Sequence, residues 1–232
     1  MNIFANILSC LSLLCGFVSI IFSLESHFTF SSWAIIFSVI FDGLDGQIAR
    51  LNPLPSEFGK ELDSLVDVIS FGIAPSILGY VFVYNHFHLL ASVALLFYLY
   101  CSVFRLAKYN ITPKQNLKLY FSGLPTTVGG GLLASFILIY RRYTQSPPPV
   151  LFFLMVLILA VLMVSRVKYA NLDYLKDLLK KKTFTSLIVF IFIISWVFVF
   201  YYATGVFLPE ISIFLLFLAY LVFSPFILRK TV

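Results

Sequence analysis

Six of the ten carboxylates in this chain fall within residues 41–70, FDGLDGQIARLNPLPSEFGKELDSLVDVIS: Asp42, Asp45, Glu57, Glu61, Asp63 and Asp67. Asp42 and Asp45 are three residues apart and Asp63 and Asp67 four apart, separations that project side chains from one face of a helix. The four aspartates lie in apolar runs, where an unpaired ionised carboxylate costs at least ~2.5 kcal/mol on the mildest insertion scale, so a compensating cation is implied. Helix bundles build dinuclear centres from acids that converge from facing helices. No Cys or His accompanies these oxygens, which favours a hard cation, Mg2+ or Mn2+, over zinc or copper. The stretch reads as a metal-centred active site.

Two neighbouring helices must position it. Between the acid pairs, Pro53 and Pro55 in LNPLPSE stop the first of these helices and turn the chain back. Gly43, Gly46 and Gly59 stand beside the acids and allow close approach of a ligand; each also reads as a small residue for packing membrane helices.

The remaining chain explains where such helices live. Of 232 residues, 61% are hydrophobic and 11% charged, and the mean hydropathy is +1.00. A soluble domain carries about 25% charged residues, so the expected class is an all-α polytopic membrane bundle, one domain covering residues 1–232. The net charge of +6 forms no basic stripe, which excludes nucleic acid as a partner and leaves bilayer orientation as its cause. Cys10, Cys15 and Cys101 lie in apolar stretches without metal-ligand spacing, and no disulfide is expected. No Lys or Arg precedes Arg50, so the amino terminus lacks the basic region of a secretory signal and is expected to persist as the first span.

Apolar runs long enough to cross a bilayer, about 20 residues each, are expected at 4–24, 31–49, 59–84, 89–107, 117–140, 150–167, 184–202 and 206–228. Eight spans put both termini on one side. If that side is the cytoplasm, 14 of the 16 basic residues are internal and only Arg141 and Arg142 lie outside, the bias that sets orientation. Asp45 then lies about 7 to 8 Å from the inner end of the second helix, at 1.5 Å per residue, and the site opens toward the cytoplasm. A transport site belongs near the bilayer midplane, between repeated halves, and no such repeat is visible.

Asp42, Asp45, Gly46, Ala49, Arg50, Gly59, Asp63 and Asp67 match D-x2-D-G-x2-A-R-x8-G-x3-D-x3-D, and in this the chain resembles the CDP-alcohol phosphotransferases. The resemblance implies that a CDP-linked lipid, CDP-diacylglycerol or an ether-lipid analogue, is cleaved at its diphosphate, releasing CMP and passing the phosphatidyl group to an alcohol. It implies two divalent cations, with Asp42 and Asp63 bridging both, Asp45 and Asp67 each completing one site, and Asp67 acting as general base. It further implies contacts to the CDP moiety from Gly46, Arg50 and Ser56, room for the nucleotide at Ala49 and Gly59, and a homodimer. Asn6 is similar to the NxL(S/T) element that such proteins carry near the nucleotide.

The run SEFGKELDSLVDVISFGIAPS resembles the phosphatidylserine synthase branch, with FRLAKYN at 104–110, GLPTT at 123–127 and VSRVKYAN at 164–171 adding to the likeness. The likeness covers the first three quarters of the chain, and the last two expected helices add nothing to it. A serine acceptor brings a carboxylate, so its pocket needs a basic group near Asp67. Arg105 is the expected partner because a guanidinium grips a carboxylate in bidentate fashion, with Lys108 and Asn110 as further candidates. All three also read as ordinary residues of an inner loop.

Other features carry less. His27, His86 and His88 are expected in outer loops, away from the acids. Lys180 to Lys182 reads as a headgroup contact or a topology signal, and Gly129 to Gly131 as a site of close helix packing. Pro75 and Pro225 are expected to kink their helices. Sister enzymes that use glycerol phosphate or an inositol phosphate are the nearest alternatives to serine transfer. A cation transporter would explain the acids but not Gly46, Ala49, Arg50 and Gly59 at fixed offsets, and a purely structural protein would leave the acids unpaid for.

Overall fold

The computed structural model describes residues 3–51, 57–112, 120–143, 149–170 and 209–229. Their helices are α1 (Ile3–Leu24), α2 (Phe28–Leu51), α3 (Glu57–Asp67), a π-helical turn (Val68–Ile73), α4 (Ala74–Ile111), α5 (Thr126–Tyr143), α6 (Pro149–Val164) and α7 (Pro209–Arg229). Two short strands, β1 (Tyr120–Ser122) and β2 (Lys168–Ala170), pair antiparallel with Phe121 opposite Tyr169.

Among the described residues, four stretches are long and apolar enough to cross a membrane: Asn6–Leu24, Phe28–Ile48, Glu57–Val83 and Phe87–Ile111. Large apolar side chains such as Leu14, Phe17, Phe30, Leu96 and Ile158 stand exposed along the helices. Surface of that kind is disfavoured in water and suited to lipid. The chain is a helical membrane protein.

The first two expected spans coincide with α1 and α2. The expected break between 84 and 89 falls where α4 leaves helical geometry at Phe87 (φ −148°, ψ 48°), between the stretches Glu57–Val83 and Phe87–Ile111; it is a kink and not a loop, so His86 and His88 flank a bend rather than sit in an outer loop. The expected span 117–140 begins only at Thr126: residues 120–122 pair with β2, and Gly123 takes φ +85°, a backbone state that a side chain resists. Pro125 then precedes the first turn of α5, where its missing N–H costs nothing. The expected span 150–167 stops at Val164, before β2. The expected span 184–202, Lys180 to Lys182 and the prolines at 53 and 55 lie outside the described residues.

Polar side chains join the apolar helices. Along the α1–α2 contact, Ser12 bonds Ser38 (2.8 Å), while Ser19 and Ser23 both bond Ser31 (2.9 and 2.7 Å), all of them buried. Such bonds favour one register between helices that apolar contact alone would let slide.

The π turn follows Asp67 directly, and Pro75 explains part of its bonding. In a regular helix the N–H of residue 75 would bond the carbonyl of Phe71, but proline has none. Ala74 N–H reaches back to Ile69 in the wider i→i−5 pattern, and the Phe71 carbonyl accepts a bond from the buried Tyr98 hydroxyl (3.1 Å). The Ser70 hydroxyl donates to the Ser12 carbonyl (3.2 Å), tying the turn to α1. Asp67 is therefore set on a locally rewound helix held from two sides.

Candidate active site

α2 carries Asp42 and Asp45, and α3 carries Asp63 and Asp67. One oxygen each from Asp42, Asp63 and Asp67 lies within 4.8 Å of the others. Asp67 is 9% exposed, and its Oδ1 has no hydrogen-bond partner among the described residues. A buried, unmatched carboxylate oxygen beside two more carboxylates is costly as it stands, and a hard divalent cation answers that donor set. The residues present fit such an ion.

Asp45 stands apart from this trio. It is buried, and its Oδ2 accepts a 2.8 Å bond from the Ser9 hydroxyl of α1, while it remains within electrostatic range of Asp63 and Asp42. The four aspartates thus share one end of the α2–α3 pair, three in mutual contact range and the fourth braced by a neighbouring helix.

All four line a cavity of about 320 Å3, together with Gly43, Gly46, Gln47 and Ser64. Its other walls are Arg105 and Tyr109 of α4, Phe121 of β1, residues 125–128, and Leu216, Phe217 and Tyr220 of α7. Arg105 is 8% exposed, and its Nη1 donates to Thr126 Oγ1 at 3.3 Å. Its guanidinium lies 5.4 Å from the Tyr109 ring centre and 5.9 Å from that of Phe121, and its charge acts on Asp67 and Asp42. No carboxylate among the described residues comes within ion-pair distance of it. A buried guanidinium with five donors and one long hydrogen bond retains capacity for an anion.

The other residues singled out by sequence fall differently. Gly46 lines the cavity; Gly59 is half-buried on α3 and does not. Ala49 and Arg50 occupy the last turn of α2, where side chains are not described, and Ser56 lies outside the described residues. Asn6 is half-buried on α1 and does not line the cavity. Lys108 is half-buried on α4, also away from the lining. Asn110 is engaged with α3: its Nδ2 donates to Ser64 Oγ (2.9 Å), and its carbonyl accepts from Lys60 Nζ (3.0 Å). Of the three basic or amide candidates for an acceptor, only Arg105 faces the acids.

Sequence reasoning missed Ser9, Thr126 and the α7 residues. Ser9 ends the NILS run that begins at Asn6, and Thr126 belongs to the GLPTT run, so both were signalled without a role. Leu216, Phe217 and Tyr220 lie in an apolar helix whose sequence gives no cue that one face reaches the acids.

The chain matches the family model described as CDP-alcohol phosphatidyltransferase over residues 2–224. It is 34% identical over 181 residues to a CDP-diacylglycerol–serine O-phosphatidyltransferase of Helicobacter pylori, an alignment covering 77% of this chain and 76% of the relative. It is 31% identical over 170 residues to an archaetidylserine synthase of Methanothermobacter thermautotrophicus, covering 72% and 70% of the two chains. A CDP-diacylglycerol–serine O-phosphatidyltransferase of Mycobacterium tuberculosis is 34% identical over 143 residues, 58% of this chain and 50% of that one.

Proposed function

The chain belongs to the CDP-alcohol phosphatidyltransferase family, and from that premise we propose that it moves the phosphatidyl group of CDP-diacylglycerol, or of an ether-lipid analogue, to the hydroxyl of L-serine, with release of CMP. The observation that carries this reading is the convergence of Asp42, Asp63 and Asp67 within 4.8 Å, in a cavity that also holds the buried guanidinium of Arg105. The acids suit a diphosphate donor bound through cations, and the guanidinium suits an acceptor that carries a carboxylate. The bacterial and archaeal relatives differ in the lipid their names specify, but both names specify serine.

Asp42, Asp45, Asp63 and Asp67 would hold two divalent cations, Mg2+ or Mn2+. Bound there, the ions would neutralise the diphosphate and stabilise charge on the departing CMP.

The chain's own groups would do the rest. Asp67, whose Oδ1 is uncommitted, takes the proton of the serine hydroxyl as the serine oxygen bonds to the lipid-bearing phosphorus. The bond from that phosphorus to the bridging oxygen breaks, and CMP leaves with that oxygen. Arg105 grips the serine carboxylate and fixes the hydroxyl toward Asp67, so that much of the barrier is met by positioning. Gly46, without a side chain on the cavity wall, leaves space for the donor; Ala49, Arg50 and Gly59 serve the CDP moiety on the strength of the motif, and Ser56 and Asn6 on the strength of the wider family resemblance.

The enzyme acts as one membrane domain of eight spans in the cell membrane, with both termini and the site at the cytoplasmic face. The distribution of basic residues supports this orientation, and a reporter fused after Lys230 that reads out as external would overturn it.

The deciding experiment supplies purified protein with CDP-diacylglycerol in vesicles and follows CMP release. Release that requires both a divalent cation and L-serine is expected. Release with glycerol phosphate or an inositol phosphate but not serine would assign a sister reaction, and cation flux without CMP release would assign a transporter.

A further inference from the structure

We propose that α7 forms the far wall of the acceptor subsite, and that Phe217 and Tyr220 set the size of the alcohol the enzyme accepts; this rests on the serine-transfer reading above. Both side chains line the same cavity as Arg105 and Asp67. Phe217 is seated over Gly131 of α5, where any Cβ would meet the phenylalanine ring, so α7 approaches α5 more closely than a side chain at position 131 would permit. Tyr220 is fixed by its surroundings. Its ring stacks on Tyr169 of β2 (6.1 Å between centres, 21° between planes).

These contacts join the wall to the anion-binding side. Tyr169 is the cross-strand partner of Phe121, and Phe121 is one of the two rings flanking the Arg105 guanidinium. Arg105, Phe121, Tyr169 and Tyr220 therefore make a continuous collar built from α4, the two strands and α7. At its opposite end α7 is pinned by Arg142 Nη1 to Glu210 Oε1 (2.6 Å), with the Glu210 side chain buried.

A carboxylate held on Arg105 and a hydroxyl held at Asp67 leave the rest of the acceptor facing Phe217 and Tyr220. The wall is aromatic and backed by Gly131 and Tyr169, so it would discriminate by volume: serine fits, and an amino acid one carbon larger meets the rings.

The test uses the full-length protein in vesicles with CDP-diacylglycerol and compares serine, homoserine and threonine in CMP release. Phe217→Ala is expected to raise kcat/KM for homoserine or threonine relative to serine by roughly tenfold or more, the range over which one carbon is discriminated in an apolar pocket. The KM for CDP-diacylglycerol should stay within about twofold, since the wall faces the acceptor. If Phe217→Ala does not fold, as judged by thermal unfolding in detergent, Phe217→Leu keeps most of the volume and should shift the preference the same way by a smaller factor. Equal changes for all three amino acids, or a change confined to the donor KM, would overturn the proposal and leave α7 a structural or donor-side element. If the wild type ignores amino acids and takes another alcohol, the serine reading fails by itself. The wall is then tested with that alcohol and its one-carbon-longer homologue, and an unchanged preference in the variant sinks it.

Discussion

Ser9 of α1 donates a 2.8 Å hydrogen bond to Asp45 Oδ2 of α2, so the one aspartate outside the close trio is oriented by a helix that carries none of the four acids. Hydrogen bonds behind a metal-ligating carboxylate typically change metal affinity by 10- to 100-fold when removed. Ser9→Ala is expected to raise the Mg2+ or Mn2+ concentration giving half-maximal CMP release by about tenfold, at the low end of that range. Ser9→Thr, which keeps the hydroxyl, should lie near wild type. A divalent-ion titration of each variant reads the difference.

The trio itself predicts opposite signs for activity and stability. Asp42, Asp63 and Asp67 repel one another, and Asp67 is buried with an unmatched oxygen. Asp63→Asn removes one charge while keeping the shape. CMP release should fall by about a hundred- to a thousandfold, as for loss of a group that stabilises transition-state charge, while the unfolding temperature in chelator should hold or rise because repulsion is relieved. Chelator should abolish wild-type activity, and readdition of the metal should restore it. Substantial turnover of Asp63→Asn would remove that residue from the site.

Arg105 is expected to act on the acceptor alone. Arg105→Lys keeps the charge but loses the fork that can hold a carboxylate through two bonds, at about 1.5–3 kcal/mol for hydrogen bonds to a charged group. That corresponds to a serine KM raised roughly 10- to 100-fold with little change in the donor KM. Steady-state kinetics with each substrate varied in turn make the comparison, and the reverse pattern would assign Arg105 to the donor.

The acid-bearing helices and their class were legible in the sequence because intramembrane charge is costly and because three- and four-residue spacings have one helical meaning. Asp42, Asp45, Asp63 and Asp67 all line the cavity for that reason. The strand pairing at 120–122 was not legible, since a three-residue pairing between segments about 50 residues apart leaves no period to read. Nor was the α7 wall. An apolar helix offers the same composition to lipid and to a cavity, and the packing of Phe217 on Gly131 and of Tyr220 on Tyr169 separates the two faces. The break near Phe87 was legible as a dip in apolar length, but not its form: residues 84–89 contain neither Gly nor Pro, and nothing in them tells a one-residue kink from a loop.

The bond from Tyr98 to the Phe71 carbonyl gives a last prediction that links the π turn to catalysis. Pro75 has removed the i→i−4 donor from that carbonyl, so Tyr98→Phe takes away the side-chain donor that stands in for it. The expected cost is about 1–3 kcal/mol, visible as a lower unfolding temperature. The turn begins at the residue after Asp67, so loosening it should spread the orientations of that carboxylate and lower kcat several-fold, while the KM for CDP-diacylglycerol and for serine changes little. A variant that loses stability but keeps kcat would show that the turn supports the fold without aiming Asp67. A fall in kcat that is reproduced by Ser70→Ala, which cuts the other tether of the same turn to Ser12, would tie the effect to the turn rather than to the tyrosine.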